Sequence, residues 1–469
     1  AVVTILVVSM FFVAAWILPL NWVALALAAL IPFQIYFPIA GLNLRGAFVF
    51  VAAATLRVLV LQLARLSQPS SVVGRRSLLW LIPAALFVAA ALVAALTAPN
   101  RYSALKGVYD WLPIFATAFV VGEIVRSERL VKQIVGVLIV AGASQAVLGL
   151  AQAALDVPRV VGILQLPISA LFYQPSLLRD RLSDLSFNWI LFDRVLPFGT
   201  FINGIDYAIF LAAVLSLVLA ILFDVRPPTV DRRLHSAIRN SQFAIHLSRA
   251  VALLICVALL GSALLQTFKG SGMIALAGGV SAIALWSVRR VSPRVLALSA
   301  MVLIVALILA APSFDDIARR ALFLIQREVG AVTASGRTAI WAQLLAYLPQ
   351  RPWFGWGLNN TGLLVQPLPS LSGGAFVFNI PTAESAYVAA LVETGLIGFA
   401  ALMGFIGVVL ARAFRVASRS PVATGIGAAI VAILFGSLTV VGLTTDQNGM
   451  LLGVLIGLIF SSAHRANLR

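Results

Sequence analysis

Charged residues and cysteine are scarce in this chain, and both shortages limit what it can be. Of its 469 residues only 10% are charged and 61% are hydrophobic, whereas a soluble globular domain is about half apolar and about a quarter charged. The mean hydropathy is +1.04. Because no water-soluble fold can bury so much apolar surface, lipid must surround most of the chain. The single cysteine, Cys256, excludes a disulfide framework and a thiolate metal site.

Histidine and targeting signals are equally sparse. The three histidines, His235, His246 and His464, share no spacing typical of a metal site. The first apolar run has no basic flank before it and no small-residue cleavage site after it, so no cleavable signal peptide is expected.

Long apolar runs dominate the rest of the sequence, and they are continuous rather than alternating, which predicts membrane-spanning helices. The fold class predicted is therefore all-α, a polytopic membrane protein of about 12–14 transmembrane helices in one integral membrane domain over residues 1–469. The predicted spans are 2–19, 21–42, 46–64, 78–97, 108–125, 133–155, 204–223, 250–267, 270–288, 295–312, 383–410, 421–441 and 449–462.

Positive charges fall in every second connection between these spans. They cluster in 65–76, 126–132, 226–249, 289–294 and 412–419, with more at the C-terminus. This is the positive-inside pattern, so these connections and the C-terminus are predicted to be cytoplasmic. The two long loops, 156–203 and 313–382, then lie on the opposite, periplasmic side. Since orientation accounts for the net charge of +17, nucleic acid is not expected as a partner.

Arg57 lies inside the third predicted span. An arginine at that depth either belongs to a functional site or extends its side chain to the membrane interface.

Two polar segments lead into spans on the non-cytoplasmic side. The first runs from Arg194 through Asn203 to Tyr207 and ends the first long loop. The second carries Lys269 at the tip of a very short hairpin. In each segment the cation either anchors a span at the lipid headgroups or binds a ligand.

A third polar segment lies in the large loop and contains Arg337, Trp341, Trp353 and Trp356 among several glycines. The aromatic faces suit both a membrane-interface belt and stacking on sugar rings.

The fourth segment contains Glu384 and Tyr387 and continues to Glu393. Thr382 is in position to cap a helix that Glu384 opens, where an acid also favours the helix dipole. Glu393 would lie about 14 Å further along a continuous helix. At that depth a carboxylate must be paired or protonated, and the expected partners are Arg194, Lys269 and Arg337.

In this order, the four segments resemble the O-antigen ligase and polymerase superfamily of bacterial surface-polysaccharide assembly, over roughly residues 78–462. The shared features are an arginine with Gly-Thr-Phe and asparagine before a span, and then a basic hairpin tip. Gly-Arg, Trp and Pro-x-x-Gly-x-Gly follow in a large loop, and Glu-x-Gly-x-x-Gly follows in a helix.

The resemblance implies a GT-C-type membrane glycosyltransferase in the bacterial inner membrane. It takes a glycan from undecaprenyl diphosphate at the periplasmic face and transfers it to an acceptor, with no metal, nucleotide sugar or other cofactor. Cations on the outer segments bind the diphosphate. The residues expected to be catalytic are Glu384, Arg194 and Arg337. Those expected to bind substrate are Lys269, Asn203, Tyr207, Trp341, Tyr387 and Glu393.

The sequence departs from the superfamily pattern at two positions. The hairpin cation is usually arginine but is Lys269 here, and the histidine that the ligase branch places before the last long helix is replaced by Thr382–Ser385. We therefore predict a polymerase of lipid-linked repeat units that uses Glu384 as its base. The alternatives are a ligase that transfers finished glycan to lipid A core or another acceptor, and a transporter or flippase of lipid-linked glycan. A chain-length regulator would be a further partner.

Overall fold

The computed structural model describes most of the predicted spans and part of each long loop. The described residues are 2–33, 36–39, 42–66, 79–155, 157–164, 190–191, 194–201, 204–223, 236–287, 337–365, 383–417, 420–441, 443 and 446–461.

Helices account for nearly all of the regular structure in these ranges. The α-helices are α1 Val2–Ile17, α2 Leu20–Leu30, α3 Gly46–Leu66, α4 Ile82–Thr97, α5 Arg101–Ile124, α6 Glu128–Ala154, α7 Val157–Leu164, α8 Gly204–Phe223, α9 Ser236–Gln266, α10 Gly270–Ser287, α11 Arg337–Tyr347, α12 Thr361–Leu364, α13 Ala386–Ala417, α14 Pro421–Gly436 and α15 Asp446–Phe460. Short 3-10 helices cover Leu79–Leu81 and Leu348–Gln350. Two antiparallel hairpins pair β1 Tyr36–Ile39 with β2 Leu42–Arg45, and β3 Ile190–Leu191 with β4 Arg194–Val195.

The prediction of an all-α polytopic membrane protein is confirmed. Seven of the described helices are long and apolar enough to cross a membrane, and five more apolar helices are shorter. The predicted span 295–312 lies outside the described residues, so the total number of spans stays a prediction.

Several helices begin where a polar side chain accepts a hydrogen bond from the first turn. Asn100 accepts from the amide of Ser103 at 3.0 Å before α5, and Ser420 accepts from the amide of Ala423 at 3.1 Å before α14. Such caps satisfy backbone donors that have no partner within the helix. They explain why these apolar segments start at defined residues.

The predicted span 21–42 is wrong beyond its first half. Helix α2 ends at Leu30, and the following apolar residues form the β1–β2 hairpin. Pro32 and Pro38 lack the amide hydrogen that a continuing helix needs. Eleven residues of helix extend only about 16 Å, roughly half the thickness of a bilayer core.

Arg57 has a structural role that the sequence did not indicate. Its Nη1 donates to the carbonyl oxygens of Ala15 at 2.9 Å and Leu18 at 2.6 Å. These carbonyls stand at the end of α1, where Pro19 interrupts the helix and backbone acceptors lose their partners. Arg57 therefore caps α1 from the middle of α3.

Helix α8 runs through the centre of the bundle, with 89% of its membrane-length window buried. Glycines on its neighbours allow close approach. A Cβ on Gly279 of α10 would lie 2.1 Å from Ser216 Oγ, and a Cβ on Gly425 of α14 would lie 2.9 Å from the carbonyl oxygen of Leu217. Small residues at such crossings bring helix backbones together in membranes. The second half of α8 is thus packed tightly against α10 and α14.

Helix α13 is broken at Gly395, where φ is 65° and ψ is −172°. The residues before the break, 386–394, form a separate segment. A small apolar cluster packs this segment against α11 and α12 through Ile340, Leu344, Leu364, Ala389 and Val392. These pieces form one layer over the ends of the membrane helices. The same side of the molecule carries the α4–α5 connection and the α9–α10 connection. We call this side the loop face.

Candidate functional site

The Gly-Thr-Phe segment forms a turn between β4 and α8. Gly199 has φ +58°, and a Cβ there would lie 2.5 Å from Oε1 of Gln145. The amide of Thr200 donates to that same oxygen at 3.0 Å. Arg194 lies in β4, opposite Leu191. The side chain of Arg194 and the whole of Asn203 lie outside the described residues, so their predicted contacts with substrate stay predictions.

Lys269 lies between α9 and α10 on the loop face. A Cβ placed on Gly204, the first residue of α8, would be 3.5 Å from Cε of Lys269. The lysine side chain therefore lies beside the start of α8. The N-termini of α8 and α10 each contribute about half a positive charge, and helix N-termini of this kind bind anions. The arrangement suits an anionic group.

The start of α13 is bound to the connection between α14 and α15. The amide of Ala386 lies 3.0 Å from the carbonyl oxygen of Ser437 and 3.1 Å from that of Val440. The hydroxyl of Thr439, in the same connection, hydrogen-bonds Ser271 in the first turn of α10 at 2.8 Å. A continuous set of contacts thus links the residues around Glu384 with those around Lys269.

Glu384 does not open a helix, and Thr382, predicted to cap one, lies outside the described residues. The helix begins at Ala386, and Ser385 Oγ accepts from the amide of Val388 at 3.5 Å. Glu384 has φ +48°, a left-handed conformation that costs a residue with a Cβ about 1–2 kcal/mol. Backbone strain of this kind clusters at functional sites. Glu384 is thus half-buried and has an unusual backbone conformation immediately before the helix.

Glu393 lies in the segment before the break at Gly395, which packs against α11 and α12. Its Oε1 accepts from Thr361 Oγ1 at 2.9 Å and from the Thr361 amide at 3.3 Å, and the residue is 6% exposed. Thr361, at the start of α12, is thus a partner of this carboxylate, whereas the side chains of Arg194 and Arg337, two of the expected partners, lie outside the described residues. The carboxylate therefore holds the loop before α12 to α13, and its predicted contact with substrate stays a prediction.

The two glycine motifs pack against each other and form one joint. A Cβ on Gly355 would lie 2.5 Å from the carbonyl oxygen of Val392, and a Cβ on Gly395 would lie 2.4 Å from the carbonyl carbon of Trp353. The amide of Gly357 donates to the carbonyl of Glu393 at 2.8 Å. Since neither position has room for a side chain, Pro-x-x-Gly-x-Gly and Glu-x-Gly-x-x-Gly are complementary halves of a single contact.

This joint rests on the connection between α4 and α5. The side chain of Asn360 donates to the carbonyl of Asn100 at 3.2 Å and accepts from its amide at 3.2 Å. Nearby, the guanidinium of Arg351 lies 4.4 Å from the ring centroid of Trp356, a distance typical of a cation–π contact. Trp356 therefore packs within the protein.

Three predicted aromatic site residues donate hydrogen bonds to backbone carbonyls. Trp341 Nε1 donates to Ala383 at 2.8 Å, and Tyr387 donates to Leu434 at 2.9 Å. Both keep partly exposed side chains, and their contact with substrate stays a prediction. Tyr207 is 0% exposed and donates to the carbonyl of Gln145 at 2.8 Å. Its whole side chain is packed in the core, and its assignment to substrate binding stays a prediction.

Gln145 and Gln152 of α6 were missed by the sequence analysis, although both bind the turn before α8. Two amides seven positions apart in an otherwise apolar span were the signal. Arg337 begins α11, but its side chain lies outside the described residues. The proposed meeting of Arg194, Lys269 and Arg337 around one diphosphate therefore stays a prediction.

The described part of the chain is thus a polytopic helical membrane protein whose polar groups gather at helix starts on one face. Residues 253–403 match the family model described as O-antigen ligase. This match confirms the resemblance to the O-antigen ligase and polymerase superfamily. The matched range contains Lys269, α11, Glu384 and the Gly395 joint, whereas Arg194 precedes it. No curated protein matches the chain.

Proposed function

We propose that this protein is a membrane glycosyltransferase that polymerises undecaprenyl-diphosphate-linked oligosaccharide repeat units at the periplasmic face of the bacterial inner membrane. The observation that carries the proposal is the contact of Lys269 with the start of α8, joined through Ser271 and Thr439 to the start of α13, next to Glu384. An anion site and a candidate base thus share one side of the molecule. The family match supports the same class of enzyme.

The lipid diphosphate is the natural anion for this site. Lys269 supplies a point charge, and the starts of α8 and α10 add partial positive charge. Arg194 and Arg337 would add bidentate hydrogen bonds, which suit phosphate oxygens. Held in this way, the diphosphate keeps the attached sugar close to the membrane surface.

In the reaction, a hydroxyl oxygen of the acceptor glycan forms a bond to the anomeric carbon of the donor glycan. The bond from that carbon to the diphosphate oxygen breaks, and its electron pair leaves with undecaprenyl diphosphate. Glu384 takes the hydroxyl proton. Cations at the diphosphate stabilise the negative charge that develops there, and a positioned base accelerates such a step by about 10²–10⁴-fold.

Purified protein in liposomes tests this function directly. We expect a ladder of products from an undecaprenyl-diphosphate-linked oligosaccharide in the presence of EDTA. Glu384→Gln should remove the ladder, whereas Glu128→Gln, at an exposed position on α6, should keep it. Wild-type polymer lengths from the Glu384 variant would exclude its role as the base, and loss of the wild-type ladder in EDTA would exclude a metal-independent reaction.

A ligase is the second candidate, because the matching family model is described as O-antigen ligase. The same liposomes distinguish the two enzymes when a lipid A core acceptor is added. One transfer of preformed glycan to that acceptor, without a ladder, would identify a ligase.

A further inference from the structure

Two glutamines on α6 face the turn that leads into α8. Gln145 and Gln152 are seven positions apart, which is about two turns, so they lie on the same side of the helix. Gln145 is fully buried and Gln152 is partly buried, and amide groups shielded from water are costly unless they form hydrogen bonds. Both of these bind the backbone of residues 198–200.

Gln152 uses both ends of its side chain on this turn. Its Oε1 accepts from the amides of Phe198 at 3.2 Å and Gly199 at 2.8 Å. Its Nε2 donates to the carbonyl of Gly199 at 2.8 Å. Three backbone groups of the turn are therefore satisfied by one side chain.

Gln145 holds the next residue and the first turn of α8. Its Oε1 accepts from the amide of Thr200 at 3.0 Å and from the Thr200 hydroxyl at 3.2 Å. Its carbonyl accepts from Tyr207. The Thr200 hydroxyl also contacts the carbonyl of Pro32, so the turn is tied both to α6 and to the segment after α2.

The turn has little free chain on either side. Four residues before Phe198 comes Arg194, and four after Thr200 comes Gly204, next to Lys269. At about 3.3–3.6 Å per residue, each of these lies within about 14 Å of the turn along the chain. A change in the turn would therefore move the backbone of Arg194 and the start of α8.

We propose that Gln145 and Gln152 are positioning residues, which fix the backbone of Arg194 and the start of α8 relative to Lys269 so that together they bind a lipid diphosphate. The ligand in this inference rests on the proposed function. Neither glutamine needs to touch the ligand, because each acts through the turn.

The test compares wild-type protein with Gln152→Ala, Gln152→Glu and Gln145→Met, and with Gln133→Ala, an exposed glutamine on the same helix. Hydrogen exchange of residues 194–201 reports on the turn, and binding of undecaprenyl diphosphate in nanodiscs reports on the site. Gln152→Ala should speed exchange and raise both the Kd and the KM about tenfold, with a smaller change in kcat. Gln152→Glu keeps both acceptor bonds but replaces the donor 2.8 Å from the carbonyl oxygen of Gly199 with a carboxylate oxygen, so its effects should be intermediate between wild type and Gln152→Ala. Gln145→Met should behave like Gln152→Ala, and Gln133→Ala like wild type.

Each outcome decides the inference. Faster exchange in Gln152→Ala with an unchanged Kd and KM would show that the turn does not position the site. Unchanged exchange would show that the glutamines do not hold the turn. If wild-type protein fails to bind undecaprenyl diphosphate, the proposed function and this choice of ligand are both excluded. If wild-type protein binds it and the Gln145 and Gln152 variants bind it more weakly, the proposed function and the positioning role are both supported. A thermal melt of each variant separates these effects from general unfolding.

Discussion

Replacing Glu393 by alanine should release the loop that carries the Gly-Trp-Gly sequence. The substitution removes the oxygen that accepts from the hydroxyl and amide of Thr361. A buried donor without an acceptor costs about 1–3 kcal/mol, so two such donors cost roughly 2–6 kcal/mol. Since about 1.4 kcal/mol is a factor of ten, local opening of this loop should become at least tenfold more frequent.

Hydrogen exchange of residues 356–361 measures this opening directly, and polymerisation in liposomes measures its consequence. Glu393→Gln keeps an oxygen in the same place and should preserve both protection and activity. Glu384→Gln should abolish activity while the loop keeps its normal protection. Glu393→Ala differs because the loop itself should lose protection. The reasoning would be refuted if Glu393→Gln lost activity while the loop stayed protected, because Glu393 would then act on substrate through its charge.

Three further substitutions test other parts of the structure. Arg57→Met leaves the carbonyls at the end of α1 without their charged donor and should lower the free energy of unfolding by roughly 3–6 kcal/mol, measured by thermal melting in detergent against exposed Arg126→Ala. Gly395→Ala places a Cβ 2.4 Å from the carbonyl carbon of Trp353. It should reduce both the amount of folded protein and its activity. Normal amounts of folded protein with normal activity would contradict a fixed joint. Glu384→Gly relieves a left-handed conformation and should raise stability by about 1 kcal/mol while abolishing polymerisation, whereas an active glycine variant would exclude the carboxylate as the base.

The membrane helices were predictable because continuous apolar runs set their positions. The predicted span 204–223 coincides with α8, and 270–288 is within one residue of α10. The error at 21–42 has a physical cause. Apolar residues of the β1–β2 hairpin add to a hydrophobic run just as helical ones do, and only Pro32 and Pro38 marked the change.

The candidate site was predictable in its residue types but not in its contacts. The sequence predicted one long helix opened by Glu384, whereas the helix begins at Ala386 and is broken at Gly395. That break is only recognisable when Gly355 and Gly395 are seen packed together. In the same way, Arg57 was recognised as unusual, but its partners at the end of α1 could not be predicted. One of them, Leu18, is 39 positions from Arg57 in the chain.

The glycine joint has a consequence for the chemistry because it carries both sides of the proposed site. Ile340 and Leu344 of α11 pack on Ala389 and Val392, in the segment of α13 before Gly395. Arg337 begins α11 and Glu384 precedes α13, so the proposed phosphate-binding cation and the proposed base are attached to one small layer. The two glycine motifs pack against each other beside the elements that carry these two residues. A change at the joint should shift cation and base together, lowering kcat and weakening diphosphate binding at once, whereas a change at either charged residue should affect mainly its own step.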